Sequence, residues 1–317
     1  MSRAAGGDQH GERAPRTYAL SLGALGVLGF SVTLPATRMA DPAFGGWTVA
    51  FGRAVIAALI AAVVLLAKRQ PLLPPRTALR PMIWVVFGVV VGFPLFTSLA
   101  LETVDSAHGA VVTGLIPAAT AGFAVLLTNE RPRRTYWIAL AIGLAGVLSL
   151  PIIQGHGRPQ LGDLLLLAAV VVVGLGYAQG GVLARKYGGW RVICWALVLA
   201  LPAIVPMTVV SLLLRPPHDV DPRAVLGLGY LSVVSMCVAF FAWYEGLARG
   251  WVARVGRLQL LQPILTIGWS MLLLGEHIDI ATAVAAAVVV GAVAVGRKAK
   301  VDAVSAGDQQ LTGVRLI

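Results

Sequence analysis

A stretch near the middle of the chain, GLIPAATAGFAVLLTNE, returns 146 positions later as LLQPILTIGWSMLLLGE, and the match is in register. Leu115, Pro117, Thr120, Gly122, Leu126, Leu127 and Glu130 correspond to Leu261, Pro263, Thr266, Gly268, Leu272, Leu273 and Glu276. Two unrelated apolar segments share leucines by chance, but not Pro, Thr, Gly and a terminal Glu at fixed spacing. The chain is therefore an internal duplication, and its fold must be built twice. Gly29-Phe30-Ser31 with Arg38, answered at an offset of 147 by Gly176-Tyr177-Ala178 with Arg185, carries the duplication back to the first helix of each copy.

Composition tells in what solvent the repeated unit lives. Hydrophobic residues make up 58% of the 317 and charged residues only 12%, against about 25% charged in an ordinary globular domain. The apolar runs lie end to end, each of bilayer length, and are continuous where the strands of a membrane barrel would alternate. Ten helical spans are expected: Thr17 to Thr37, Gly46 to Ala67, Met82 to Leu101, Ala107 to Thr128, Thr135 to Ile153, Leu164 to Ala184, Val192 to Leu214, Ala224 to Leu247, Ala253 to Gly275 and Ile280 to Gly296. The fold class is an all-α integral membrane protein.

The net charge of +11 has a matching explanation. Of the 25 Lys and Arg residues, 20 fall in the two tails, in every second loop or, for Arg254 and Arg257, at the cytoplasmic end of the ninth span once the N-terminus is placed in the cytoplasm; the exceptions are Arg38, Arg53, Arg158, Arg215 and Arg223. This is the positive-inside bias, and it expects both termini to be cytoplasmic. Basic residues spread over alternate loops without interleaved aromatics do not describe a nucleic-acid surface. The polar first 16 residues lack an apolar signal-peptide core, so the first helix is expected to be retained. Cys194 and Cys237 sit in separate spans and suggest neither a disulfide framework nor a metal site.

Five spans per copy is an odd number, so the second copy enters the membrane from the opposite side. The expected organisation is an N-terminal cytoplasmic tail (1–16), a first five-helix repeat (17–153), an external connector (154–162), a second, inverted five-helix repeat (163–296) and a C-terminal cytoplasmic tail (297–317). Inverted repeats are an architecture of secondary transporters, with the substrate near the midplane where the halves meet.

The paired segments from Pro117 to Glu130 and from Pro263 to Glu276, on ten helices in two halves, resemble the EamA type of the drug/metabolite transporter superfamily, from about Thr17 to Gly296. The resemblance implies a central cavity formed mainly by the first, third, fourth, sixth, eighth and ninth helices, and it implies export of a metabolite or toxic compound. The loop Arg131-Pro132-Arg133-Arg134 after Glu130 departs from its counterpart His277-Ile278-Asp279.

Candidate functional residues follow from polarity inside the spans. Arg257, Gln259 and Gln262 precede Pro263 in the most polar stretch of any span, where the first copy offers only Thr113. A ligand explains that asymmetry, and Arg257 would favour a carboxylate or phosphate; snorkelling of Arg257 to the headgroups is the structural alternative. Phe96, Tyr177, Tyr244 and Trp269 are aromatic candidates for stacking on solute, against plain core or lipid contact. Pro117 and Pro263 each remove a backbone donor in mid-span, for a static kink or for gating, and Thr120 and Thr266 are placed to bond freed carbonyls. Glycines at 23, 26, 29, 88, 92, 174, 176, 180 and 181 allow close helix contact.

A charge within a span needs a partner, a wet cavity or a route to the headgroups. Arg53, two turns inside the second helix, is expected to pair with Glu102, Asp105 or Glu276, to snorkel, or to meet solute. Glu102 and Glu245 are coupling or gating candidates, with a local bridge from Glu245 to Arg249 as the alternative. Asp105 suits an N-cap of the fourth helix.

These readings converge on a secondary active exporter of a small organic solute by alternating access, with proton coupling an open element and no cofactor. The alternative is a lipid or lipid-linked-sugar flippase of the same shape, which would need a cleft open laterally to lipid. An intramembrane enzyme would have to assemble a catalytic pair from Glu102, Asp105, His108 and Glu245, and no HExxH, CxxC, GxSxG or Walker sequence is present. The 21 Arg against 4 Lys, with abundant Ala, Gly and Val, suggest a GC-rich bacterial genome and hence a bacterial plasma membrane. The expected partners are solute and bilayer; a homodimer is left open.

Overall fold

The computed structural model describes residues 16–128, 134–153, 160–249 and 256–298, and every regular element among them is helical. Seven helices are long and apolar enough to cross a membrane: α1 (Thr17–Phe44), α2 (Gly46–Ala67), α3 (Arg76–Leu101), α4 (Ser106–Leu127), α6 (Leu161–Tyr187), α7 (Gly189–Leu214) and α8 (Pro222–Arg249). Between and after them lie helices with shorter apolar windows: α5 (Arg134–Ile153), α9, made of a 3-10 turn (Gly256–Leu261) leading into Gln262–Leu274, and α10 (Ile280–Lys298). Leu59, Val63, Leu66, Leu213 and Leu214 are among many large apolar side chains left exposed, as a lipid-facing surface requires.

The helices pair by a rule. α2 packs on α7, α5 on α10 and α4 on α9, while α1 packs on α8 as α3 packs on α6, and α4 meets α6 as α9 meets α1. Each contact has its equivalent when helix n is exchanged for helix n + 5. Glycines make the closest crossings. A Cβ on Gly88 in α3 would stand 2.2 Å from the Val172 carbonyl oxygen of α6 and 3.0 Å from the Gly176 Cα; on Gly29 in α1 it would stand 2.7 Å from the Ala239 Cβ of α8.

Helix ends also sort into two sets. At one end lie Asp41, Glu102, Asp105, Arg215 and Glu276, linked by contacts among α1, α3, α4, α7 and α9. At the other, Tyr187 of α6 packs edge to face against Trp195 of α7, whose indole N–H donates to the Pro71 carbonyl at 2.9 Å. α1 runs toward the acidic end and α6 away from it, so the first helices of the two copies are oppositely directed.

Several expected boundaries move. α1 continues past Thr37 to Phe44, so Arg38, expected in a loop, is helical and donates to the Leu101 carbonyl at 2.9 Å. Pro42 falls in the last turn of the helix, which ends at Gly45, whose φ of +73° suits glycine. Pro117 and Pro263 do not kink continuous helices. α4 breaks between Thr113 and Ile116, α9 changes from 3-10 to α at Leu261–Gln262, and each proline occupies the first turn of the following segment, where its missing N–H is not needed. Thr120 Oγ1 has no hydrogen-bond partner, so it does not serve a freed carbonyl.

Two features were not expected at all. α3 widens to a π-helix over Val86–Gly92 and α8 over Tyr230–Ala239, near-equivalent places in the two copies. In α3 the wide turn directly precedes Pro94, whose ring would otherwise clash with the carbonyl four residues earlier. π-turns are uncommon and concentrate at functional places.

Candidate functional site

Where the copies meet, a small cavity holds about 20 Å3 of water-accessible space, little more than one water. Its walls come from α1, α3, α4, α6, α8 and α9, the helices that the resemblance sets around a cavity, and from α2 through Arg53. The wall residues are related by the duplication. Val89 and Ser235, Pro94 and Phe240, and Ile116 and Gln262 lie 146 apart, Phe30 and Tyr177 lie 147 apart, and all eight face the cavity. In three of the four pairs the first copy contributes an apolar group and the second a hydroxyl or an amide. Thr33 adds a further hydroxyl, 2.9 Å from Ser235 Oγ.

Among the described residues, Arg53 is the one charged member of the cavity wall. It is 1% exposed, which rules out snorkelling, and its Nε and Nη1 have no hydrogen-bond partner. Its equivalents 146 and 147 positions on, Leu199 and Ala200, are apolar. Three carboxylates expected near it are engaged elsewhere. Glu102 accepts from the Gly46 N–H at 2.8 Å and faces Arg215 at 3.6 Å. Asp105 pairs with Arg38 at 3.3 Å. Glu276 accepts from the backbone N–H groups of Ser106 and Ala107 at 3.0 and 2.9 Å, so Glu276, not Asp105, caps α4.

Toward the acidic end a vestibule of about 430 Å3 opens, lined by Arg38, Asp41, Glu102, Arg215 and Glu276. Leu34 of the cavity and Arg38 of the vestibule are one α1 turn apart, about 6 Å along the axis. Asp41 is 6% exposed and neither carboxylate oxygen has a partner. Arg53 lies within reach of its charge, yet no ion pair joins them. The sequence reading missed Asp41 because Pro42 and Gly45-Gly46 signalled a loop. Ser235 and the role of Gln262 were legible by carrying the 146 offset through every span and asking where a polar residue answers an apolar one.

The remaining candidates disperse. Thr113, Tyr177 and Gln262 face the cavity. Phe96 is half-buried away from it, and Phe93, one turn earlier, faces it instead. Tyr244 is fully buried, its ring 6.4 Å from Tyr177 and 5.8 Å from Phe240, with an unpartnered hydroxyl. Trp269 donates to Ser31 Oγ at 3.1 Å, and Gln259 is buried. Glu245 holds Arg249 at 2.5 Å within α8. The side chain of Arg257, and Glu130 altogether, lie outside the described residues. Elsewhere, His108 Nε2 meets Asp163 Oδ1 at 2.6 Å, a buried pair between α4 and α6. No metal-ligating cluster occurs among the described residues.

The cavity is too small for an organic solute, and the vestibule beside it is of solute size. Known proteins similar to this chain are transporters by description or share its fold. A protein of Bacillus subtilis (strain 168) described as "Uncharacterized transporter YdeK" is 44% identical over 278 residues, 87% of this chain and 96% of that one. A solved crystal structure, 21% identical, superposes with a TM-score of 0.62 over 89% of this chain and 96% of its own, which speaks for the fold. The EamA-like transporter family model matches twice, over residues 17–150 and 160–296, and the chain, a multi-pass membrane transporter, belongs to that family.

Proposed function

We propose that this protein is a secondary active transporter that moves a small organic solute outward across a bacterial plasma membrane, by alternating access about the central cavity. The observation that carries the reading is the composition of that cavity: equivalent positions of the two copies line it together, and in three of the four pairs one is apolar where the other carries a hydroxyl or an amide. A duplicated fold alone asks for no such difference, whereas an asymmetric solute does. Ten spans in two inverted five-helix repeats are the architecture we assign. The exchange of helix n with n + 5 in every major contact, and the opposite directions of α1 and α6, support it.

The π-helical segments of α3 and α8 are the hinges in this reading. Both pack by small residues against the first helix of the other copy, and both contribute to the cavity wall. Bending there opens the wall without breaking a span. The flippase alternative gains nothing from the apolar crevice of about 450 Å3 between α2 and α7, because the Thr48–Ser211 hydrogen bond, 3.0 Å long, joins those two helices behind it.

The test is uptake by proteoliposomes of a labelled solute panel, with and without an imposed pH gradient. Saturable uptake of at least one panel member, abolished by bulk at Ser235 (Ser235→Trp), is expected; lipid scrambling with no solute uptake would instead establish the flippase.

A further inference from the structure

We infer that the solute carries an anionic group, a carboxylate or a phosphate monoester, and that Arg53 is its anchor. The inference rests on the transport reading above and names its substrate class. Arg53 is the largest side chain buried to this degree, and a guanidinium is never deprotonated in practice, so its charge must be answered by something. No ion pair among the described residues answers it. Nε and Nη1 point at no acceptor, although four carboxylates lie toward the same end of the bundle.

Three of those carboxylates are fixed on other donors: Glu102 on Gly46, Asp105 on Arg38 and Glu276 on the first turn of α4. The fourth, Asp41, is itself without a hydrogen bond and stops short of Arg53. Arg53 and Asp41, buried near one another without an ion pair, are held apart by the fold. A planar fork with free N–H groups in a closed, largely apolar chamber suits one bidentate oxyanion. Around it, Thr33, Ser235 and Gln262 supply neutral groups for the rest of the solute, and Phe30, Tyr177 and Phe240 supply an apolar floor.

A structural cation and a substrate cation respond oppositely to removal. Breaking a paired buried cation is destabilising, whereas replacing an unanswered one by an apolar side chain relieves the empty protein. The experiment is thermal unfolding of the full chain in lipid nanodiscs, wild type against Arg53→Met and Arg53→Gln, in chloride, then with potassium benzoate or inorganic phosphate at equal ionic strength. We expect the Arg53→Met midpoint to lie about 2–4 °C above wild type without the added anions. Benzoate, phosphate or both should raise the wild-type midpoint and leave both variants unmoved. A lower midpoint for Arg53→Met, equal stabilisation of wild type and variants, or a wild type indifferent to both anions would each overturn the assignment. Anion binding by a protein that carries no panel solute would leave the anchor standing and overturn the transport reading instead.

Discussion

Glu276 caps the helix that begins at Ser106, although 170 residues separate them. Oε1 accepts the Ser106 N–H at 3.0 Å and its hydroxyl at 2.9 Å, while Oε2 takes the Ala107 N–H at 2.9 Å. The negative charge stands where the helix dipole is positive and where backbone donors lack acceptors. The Glu that closes the repeated segment therefore ties the fourth helix of one copy to the ninth helix of the chain.

Removing that cap has a defined cost. Glu276→Ala should lower stability by about 1–2 kcal/mol, and Glu276→Gln, which keeps one acceptor, by less. Thermal unfolding of the three proteins in one detergent measures both steps. Equal midpoints would mean that water satisfies the first turn of α4 equally well.

His108 and Asp163 form a second tie between copies. Asp163 Oδ1 lies 2.6 Å from His108 Nε2, and Oδ2 accepts the Gln160 N–H at 2.7 Å, completing a capping box on α6. Asp163→Ala removes two bonds and His108→Ala removes one, so the first should be the more damaging. A double-mutant cycle on unfolding free energies should give a coupling of about 0.5–3 kcal/mol. Additive losses would show that the two residues act independently.

What the sequence made legible follows from which signals are collective. Span existence needs only some twenty consecutive apolar residues, and duplication needs only aligned punctuation, so both stand out. Local events within a span do not. The π-segment Tyr230–Ala239 contains no Pro or Gly to mark it, and it forms where α8 must clear α1 at Gly26 and Gly29. Asp41 shows the opposite failure, since Pro42 and two glycines outvoted a helix that persists for seven residues beyond Thr37. Arg53 was visible as a charge in a span, but its lack of a partner is a fact about where Glu102, Asp105 and Glu276 go.

The α3–α6 crossing sets a limit on side-chain size. Gly88→Ala would drive a methyl to 2.2 Å from a backbone carbonyl, which cannot swing aside, so a loss of about 1–3 kcal/mol and weakened transport are expected. Gly181→Ala, also at a helical glycine of the α3–α6 pair but with nothing within 4 Å of its Cβ, should gain about 0.5–1 kcal/mol. Paired unfolding curves decide the matter, and equal changes for the two substitutions would show that the crossing sets no limit on side-chain size.

Orientation in the membrane is the remaining consequence of the repeat. If α1 and α6 run oppositely and the 20 clustered basic residues face inward, both tails and the loop containing Arg131 are cytoplasmic and the connector near Arg158 is external. Single cysteines placed after Lys300, beside Arg131 and beside Arg158 test this with an impermeant thiol reagent on intact cells. The native thiols Cys194 and Cys237 are both buried, so background labelling should be low. Only the cysteine beside Arg158 should react from outside, and all three should react in opened membranes. The same assignment expects residues 17–153 to superpose on 163–296 by a rotation of about 180° about an axis in the membrane plane, carrying Pro117 onto Pro263. Outside labelling of residue 131 or of the C-terminal tail together with residue 158 would break the parity argument, because an odd number of spans separates each of them from residue 158; labelling of the first two with residue 158 protected would reverse the orientation and leave the parity intact.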